Sequence, residues 1–123
     1  MKLIYFIAAS GALATSCGPK TLDCQPRTVN VTGPLETDIL GSWDGFGLDS
    51  RVVATFHDDE RLTFVAEESW AGPQSKTTDQ YRVLDGKVSF NGSECSAEFD
   101  EHSLTLCGDF SHPALTCHGK EFE

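Results

Sequence analysis

Short β-favouring runs, separated by turn residues at a spacing of about ten residues, constrain this chain more than any other feature of its sequence. Beyond residue 38, no window of about 11 to 18 residues repeats apolar side chains with the helical spacing i, i+3, i+4, i+7. Residues 51–57 and 61–67 instead place alternate apolar side chains on one face, and the acidic residues 58–60 between them predict a hairpin. The pattern therefore predicts an all-β domain.

Eight such runs are predicted as strands, and residues 68–78 form the longest predicted loop among them. The strongest hairpin signal is Asp85-Gly86, because glycine tolerates the positive φ of a type I′ turn. Short strands in up-and-down order predict an antiparallel meander that closes into a small β-barrel, which removes the exposed sheet edges. The predicted strands are residues 39–43, 51–57, 61–67, 80–84, 87–90, 95–99, 104–107 and 114–118.

The N-terminal residues 1–16 have the features of a bacterial signal peptide. Lys2 is followed by a largely apolar run of about a dozen residues, well short of the roughly 20 that span a bilayer. The Leu-Ala-Thr-Ser segment before Cys17 resembles the lipobox, in which the cysteine is acylated and becomes the new N-terminus. Cys17 is therefore the predicted lipidation site. The alternative is a fifth cysteine in an ordinarily secreted protein.

Residues 17–37 are rich in Gly, Pro and Thr and show no sustained period, so they are predicted as the lipidated cysteine and a tether. Residues 38–123 are the predicted barrel domain. More than one acyl chain makes a stable membrane anchor, which places the protein in the bacterial cell envelope. Gly18 after the acylated cysteine favours the outer membrane in the enterobacterial pattern.

The chain has five Cys, and setting the lipidated one aside leaves an even set that can pair in an oxidising compartment. Cys95 starts the sixth predicted strand and Cys107 ends the seventh, so both should lie at one end of the barrel. Cys24 and Cys117 should lie near the other end. The topology therefore predicts the bridges Cys95–Cys107 and Cys24–Cys117.

Strict strand alternation conflicts with the first of these bridges. It puts Cys95 on the face of Ala97 and Phe99, but puts Cys107 on the face opposite to its neighbours 104 and 106. A bulge or an odd-length turn around residues 100–103 is expected to restore the register.

Several short motifs between about residue 38 and residue 123 resemble the small lipocalin-like domains of bacterial lipoproteins. The resemblance implies a lipocalin-like binding barrel, in which Gly41 allows a close approach and Trp43 closes the floor. The motifs are the segments 40–43, 81–86 and 103–106, together with Phe56 and Phe64 on either side of the acidic turn.

Charge and missing motifs exclude several classes of function. A formal net charge of -10 argues against nucleic acid and anionic lipid headgroups as partners. Nucleophile-elbow, zinc-protease and phosphate-loop motifs are missing, so the chain is predicted not to be an enzyme. The four His residues share no metal-ligand spacing, so neither a metal nor a cofactor is expected. An isomerase or hydrolase in the barrel cup is kept as an alternative.

The predicted function is a monomeric, membrane-anchored binding module for a small apolar ligand at the barrel mouth or an envelope protein on its rim. The alternative is an inhibitor or immunity protein against an envelope hydrolase such as a lysozyme or protease, since an acidic surface suits a basic target. Aromatic residues on inward faces either line a ligand pocket or form core. The candidate ligand-binding residues are Trp43, Phe56, Phe64, Tyr81, Phe90 and Phe99.

Overall fold

A computed structural model of the chain describes residues 22–31, 33–48, 50–67 and 75–123. The predicted signal peptide and the predicted lipidation site Cys17 lie outside these ranges. Within them, no helix is long and apolar enough to cross a membrane.

The described residues form an almost entirely β structure, which confirms the predicted fold class. Eight antiparallel strands close into a barrel, and one further strand pairs with the last of them. The elements are β1 (Asp23–Pro26), α1 (Leu35–Asp38), β2 (Gly41–Trp43), β3 (Val52–Phe56), β4 (Arg61–Ala66), β5 (Ser75–Leu84), β6 (Lys87–Phe90), β7 (Ser93–Phe99), β8 (Ser103–Leu106), β9 (Phe110–His118) and a 3-10 helix (Lys120–Phe122).

Consecutive strands from β2 to β9 are neighbours, and β9 pairs with both β8 and β2 to close the barrel. The turns β3–β4, β5–β6 and β7–β8 therefore lie at the end where α1 leads into β2, which we call the α1 end. The loops β2–β3, β6–β7 and β8–β9 lie at the opposite end. β5 bends between its neighbours, because residues 75–80 pair with β4 and residues 81–84 pair with β6.

Two-residue turns join β5 to β6 and β6 to β7. Leu84 lies opposite Lys87, and the residues between them, Asp85 and Gly86, have φ angles of 56° and 76°. Two consecutive positive φ angles define the type I′ turn that the sequence predicts at this position. The same conformation recurs in the next turn, at residues 91–92.

The described part of the predicted tether contributes two elements to the folded structure. β1 pairs with the C-terminal half of β9, and Cys24 lies directly opposite Cys117. α1 covers the stretch just before the barrel, and Ile39 donates its N–H to the carbonyl oxygen of Leu35 at 3.0 Å. The first barrel strand consequently begins at Gly41 rather than at residue 39. β1 is a four-residue strand of mostly polar residues, so it shows no apolar alternation from which it could be predicted. Its pairing with β9 determines its extended conformation.

The polar β5 also begins earlier than predicted. The loop prediction for residues 68–78 extends into this strand, whose first residue is Ser75, and residues 68–74 lie outside the described part of the chain. Residues 75–80 lack apolar alternation, and they are extended because each lies opposite a residue of β4. Tertiary pairing overrides local propensity here.

Apolar side chains form two clusters, one on each face of the sheet. The inward cluster fills the barrel and includes Trp43, Phe56 and Leu104, all at most 1% exposed. The outward cluster covers part of β3, β4 and β9 with residues from both ends of the described chain. Its members are Leu22, Val53, Val65, Leu115 and Phe122, with Cys24 and Cys117 packed against them.

Both predicted disulfides are present, Cys24–Cys117 and Cys95–Cys107. The expectation of a bulge or an odd-length turn around residues 100–103 was wrong, because β7 and β8 pair in regular register and four residues join Phe99 to Leu104. Cys107 instead follows the last paired residue of β8 and has a φ of 57°. This left-handed conformation takes its side chain out of the strand alternation, so Cys107 can reach Cys95.

Candidate functional site

The structure brings the six candidate ligand-binding aromatic residues into one core cluster. The ring of Phe56 packs edge-to-face against Tyr81, with ring centroids 4.9 Å apart, and lies 6.4 Å from Phe90. Trp43 and Phe99 lie 5.8 Å apart by the same measure. These rings fill the lumen against one another, as aromatic side chains do in protein cores. Tyr81 is the one member of the six that lines either cavity described below.

The first cavity, of about 290 Å³, lies at the α1 end of the barrel. Three apolar or aromatic residues and three acidic residues line it. Two of the acidic residues come from the β3–β4 turn and the third comes from α1. The first three are Leu40, Tyr81 and Val83, and the acidic residues are Glu36, Asp58 and Glu60.

The second cavity is an open groove of about 700 Å³ along the outside of the bend in β5. It shares Glu60 and Tyr81 with the first cavity, so the two form one continuous surface. We call this surface the acidic face. Five carboxylates and two guanidinium groups line it, from Glu36, Asp58, Asp59, Glu60 and Asp79 and from Arg61 and Arg82.

Tyr81 is held rigidly at the centre of the acidic face. Its hydroxyl donates to the carbonyl oxygen of His57 at 2.6 Å, and its N–H donates to the carbonyl oxygen of Glu60 at 3.0 Å. Burial, and then the negative charges of Glu60, Asp58 and Asp59, raise the pKa of the Tyr81 phenol. The phenol therefore keeps its proton at neutral pH, and its donor is committed to the backbone.

The β3–β4 turn that carries three of the carboxylates is also well ordered by hydrogen bonds. His57 donates its N–H to the carbonyl oxygen of Arg61 at 2.9 Å. The Asp59 carboxylate accepts the Arg61 N–H at 3.2 Å and pairs with the Arg61 guanidinium at 3.4 Å. Glu60 has a φ of 65°, which closes the turn. Glu60 lines both cavities.

The opposite end of the barrel carries a buried histidine. The His112 ring stacks on Phe46 with centroids 4.1 Å apart, and its Nδ1 lies 3.0 Å from the carbonyl oxygen of Asp44. Phe64, the sixth aromatic candidate, lies 6.0 Å from Phe46. Burial lowers the pKa of His112. Among the residues that the structure describes, no group of three or more His, Cys, Asp or Glu side chains is placed to hold a metal ion.

Sequence reasoning placed residues 58–60 in a solvated hairpin turn and gave them no function. The structure adds to that turn the carboxylate of Glu36 and the apolar residues beside Tyr81, which come from distant parts of the chain. Comparison of the chain with protein-family models, curated proteins and solved structures found no match.

Proposed function

We propose that this chain is a non-enzymatic binding module, anchored in the bacterial envelope through an acylated Cys17, that binds a basic protein through the acidic face. The cavity beside Tyr81 carries the proposal. Its apolar residues Leu40 and Val83 suit the methylene chain of a Lys or Arg side chain, and its three acidic residues suit the cationic head group. The formal net charge of -10 adds long-range attraction for a basic partner.

The packing of the lumen supports a protein partner over a small apolar ligand. A ligand inside the barrel must displace rings that already touch one another, and Trp43 and Phe56 are at most 1% exposed. The acidic face is open to solvent and needs no such rearrangement. The resemblance to lipocalin-like domains remains a prediction from sequence motifs. The experiment below distinguishes binding of a small apolar ligand from binding of a basic protein.

The second candidate is an inhibitor or immunity protein against a basic envelope hydrolase. The same cavity favours it, because a pocket lined by acidic residues that receives one Lys or Arg side chain is the kind of anchor that dominates binding energy at protein interfaces. The two candidates use one surface and differ only in whether the partner is an enzyme that loses activity.

Binding of the non-acylated Cys17→Ser protein to a basic lysozyme, measured by calorimetry, tests the proposal. The Glu36→Gln/Glu60→Gln variant should bind about tenfold more weakly or worse, because both carboxylates line the cavity. Glu94→Gln/Asp109→Asn removes the same charge at the opposite end of the barrel and should leave the affinity within about twofold.

Displacement of a fluorescent fatty-acid probe is measured on the same samples. Saturable displacement together with absent lysozyme binding would refute the protein-binding proposal in favour of an apolar carrier. Loss of lysozyme activity on binding selects the inhibitor candidate. Mass spectrometry of the mature protein from its native host tests the anchor, and an unmodified N-terminus or cleavage elsewhere would contradict acylation of Cys17.

A further inference from the structure

Two large apolar side chains are exposed at the end of the barrel opposite to the α1 end. Leu48, in the β2–β3 loop, is 96% exposed, and Phe110, the first residue of β9, is 69% exposed. The segments that carry them are neighbours, because β2 pairs with β9 and Phe46 stacks on His112 with ring centroids 4.1 Å apart. Exposed apolar side chains on one surface are typical of sites that contact a protein or a membrane.

The described part of the chain begins at this same end. Leu22 donates its N–H to the Glu67 carboxylate at 3.1 Å, and its side chain is buried in the outward cluster. Glu67 directly follows β4 and donates its own N–H to the carbonyl oxygen of Arg51 at 2.8 Å. Arg51 belongs to the β2–β3 loop, three residues after Leu48. The N-terminal segment therefore leaves the barrel beside the loop that exposes Leu48.

Covalent geometry limits how far the predicted lipidation site can lie from this end. Five residue steps separate Cys17 from Leu22. A fully extended chain covers at most about 3.6 Å per step, so the two residues are at most about 18 Å apart. β4 has six residues. A strand of that length is itself about 20 Å long. An anchor at Cys17 consequently holds the Leu48 end of the barrel closer to the lipid than the α1 end.

The distribution of charge agrees with this orientation. The cavity that is lined by three acidic residues lies at the α1 end, and anionic lipid headgroups would repel it. At the opposite end the Arg51 guanidinium lies 3.3 Å from the Asp44 carboxylate and 3.8 Å from that of Glu67, which offsets part of the negative charge there. Asp109, next to Phe110, is exposed and stays in the aqueous headgroup layer.

We propose that the end of the barrel that carries Leu48 and Phe110 lies on the bilayer that holds the acylated Cys17, with both side chains inserted into the interface. The covalent anchor keeps this end at a high local concentration near the lipid, so two apolar side chains are enough to fix the orientation. The cavity beside Tyr81 is thereby turned away from the lipid and toward a basic partner. This inference rests on the proposed function, since it requires acylation of Cys17.

The test uses the full chain, expressed with its signal peptide and reconstituted into phosphatidylcholine vesicles, whose headgroups carry no net charge. Leu48→Trp and Phe110→Trp each add an indole at the proposed contact. Leu84→Trp is the matched control, because Leu84 is 62% exposed but lies at the α1 end, before the β5–β6 turn. Lipid brominated on its acyl chains quenches an indole that reaches the interface, and the signal of the two native Trp residues is subtracted.

The added fluorescence at positions 48 and 110 should fall by at least about twofold in brominated vesicles, whereas that at position 84 should stay within about a tenth. Phe110→Ser introduced into the Leu48→Trp chain removes one inserted side chain and should reduce the quenching at position 48 by about half. Leu84→Ser in the same chain should leave it unchanged. Leu48 and Phe110 belong to neither core cluster, so these substitutions keep the fold.

Quenching at position 84 that equals or exceeds quenching at 48 and 110, or no quenching at any of the three, would overturn the orientation and leave the anchor in place. Failure of the chain to float with the vesicles would overturn both the anchor and the orientation. If the basic lysozyme did not bind but positions 48 and 110 were quenched, the proposed partner would fall and the membrane contact would stand. A dimer of the Cys17→Ser protein that Leu48→Ser/Phe110→Ser converts to a monomer would assign this end to a second copy and overturn the proposal.

Discussion

The guanidinium carbon of Arg27 lies 4.5 Å from the centroid of the Trp43 ring, which places a residue of the predicted tether over a buried aromatic side chain of the core. The Nε of Arg27 donates to the carbonyl oxygen of Leu115 at 2.8 Å, and Nη2 donates to that of Ser42 at 3.4 Å. Trp43 is also held by a hydrogen bond, because its Nε1 donates to the carbonyl oxygen of Ile39 at 2.9 Å. Arg27 therefore joins β2, β9 and the N-terminal segment.

Arg27 and Gly41 should be energetically coupled. Gly41 has a φ of 117°, and a Cβ there would lie 2.8 Å from Nη2 of Arg27. Arg27→Met should lower the free energy of unfolding by about 2 kcal/mol through the lost cation–π contact and hydrogen bonds. Gly41→Ala should cost about 2 to 3 kcal/mol through backbone strain and the clash.

Urea denaturation of the two single variants and the double variant measures this coupling. The double variant should be destabilised by less than the sum of the two, because removing Arg27 removes the clash. Strict additivity would show that the close approach of Gly41 to Arg27 has no energetic weight. Arg27→Lys is the matched control for charge, and it should recover only part of the lost stability.

The β5–β6 turn should depend on glycine for conformational reasons alone. Gly86 has a φ of 76°, and a Cβ at this position would meet nothing within 4 Å. Gly86→Ala should therefore lower the free energy of unfolding by about 1 kcal/mol without any steric clash. Asp85→Asn, which suits the same left-handed conformation, is the control and should stay within about 0.5 kcal/mol of wild type. An unchanged thermal midpoint for Gly86→Ala would contradict the type I′ assignment.

The buried His112 should make the protein less stable in mild acid. Its pKa in the folded state is lowered from the ordinary value of 6.5, chiefly by burial, so the unfolded chain binds a proton that the folded chain resists. The free energy of unfolding should fall as the pH is lowered from about 7 to about 5. His112→Gln should flatten this dependence in chemical denaturation. Burial and the charge of Arg61 also lower the pKa of His57, so His57 contributes in the same direction.

The two disulfides should differ in their contribution to stability. The Cys24–Cys117 bridge closes a loop with a sequence separation of 93, against 12 for Cys95–Cys107. The loop-entropy model assigns about 4 to 5 kcal/mol to the first bridge and about 3 kcal/mol to the second. Paired Cys→Ala substitutions followed by urea denaturation test this order. A larger loss on removing the shorter bridge would show that chain entropy does not govern the difference.

Local pattern was enough to predict much of the barrel. Alternation in residues 51–57 and 61–67 predicts the β3–β4 hairpin, because one face of each strand must be buried. The pair Asp85-Gly86 predicts a type I′ turn, because few residues adopt positive φ at low cost. The correct cysteine pairs followed from strand order alone. Their geometry did not, since the left-handed Cys107 depends on the turn that the tertiary structure imposes.

The sequence by itself determined the all-β class and the up-and-down order, because these depend on periodicity and on turns between near neighbours. It also predicted both disulfides, because the strand order puts the two cysteines of each pair at the same end of the barrel. Only the tertiary structure decided that Arg27 covers Trp43 and that Glu36 meets the β3–β4 turn beside Tyr81. It also decided that β5 changes partner along its length, since residues 75–80 pair with β4 and residues 81–84 pair with β6. Such contacts join residues that are distant in sequence, and their stability comes from burial and charge that no local pattern records.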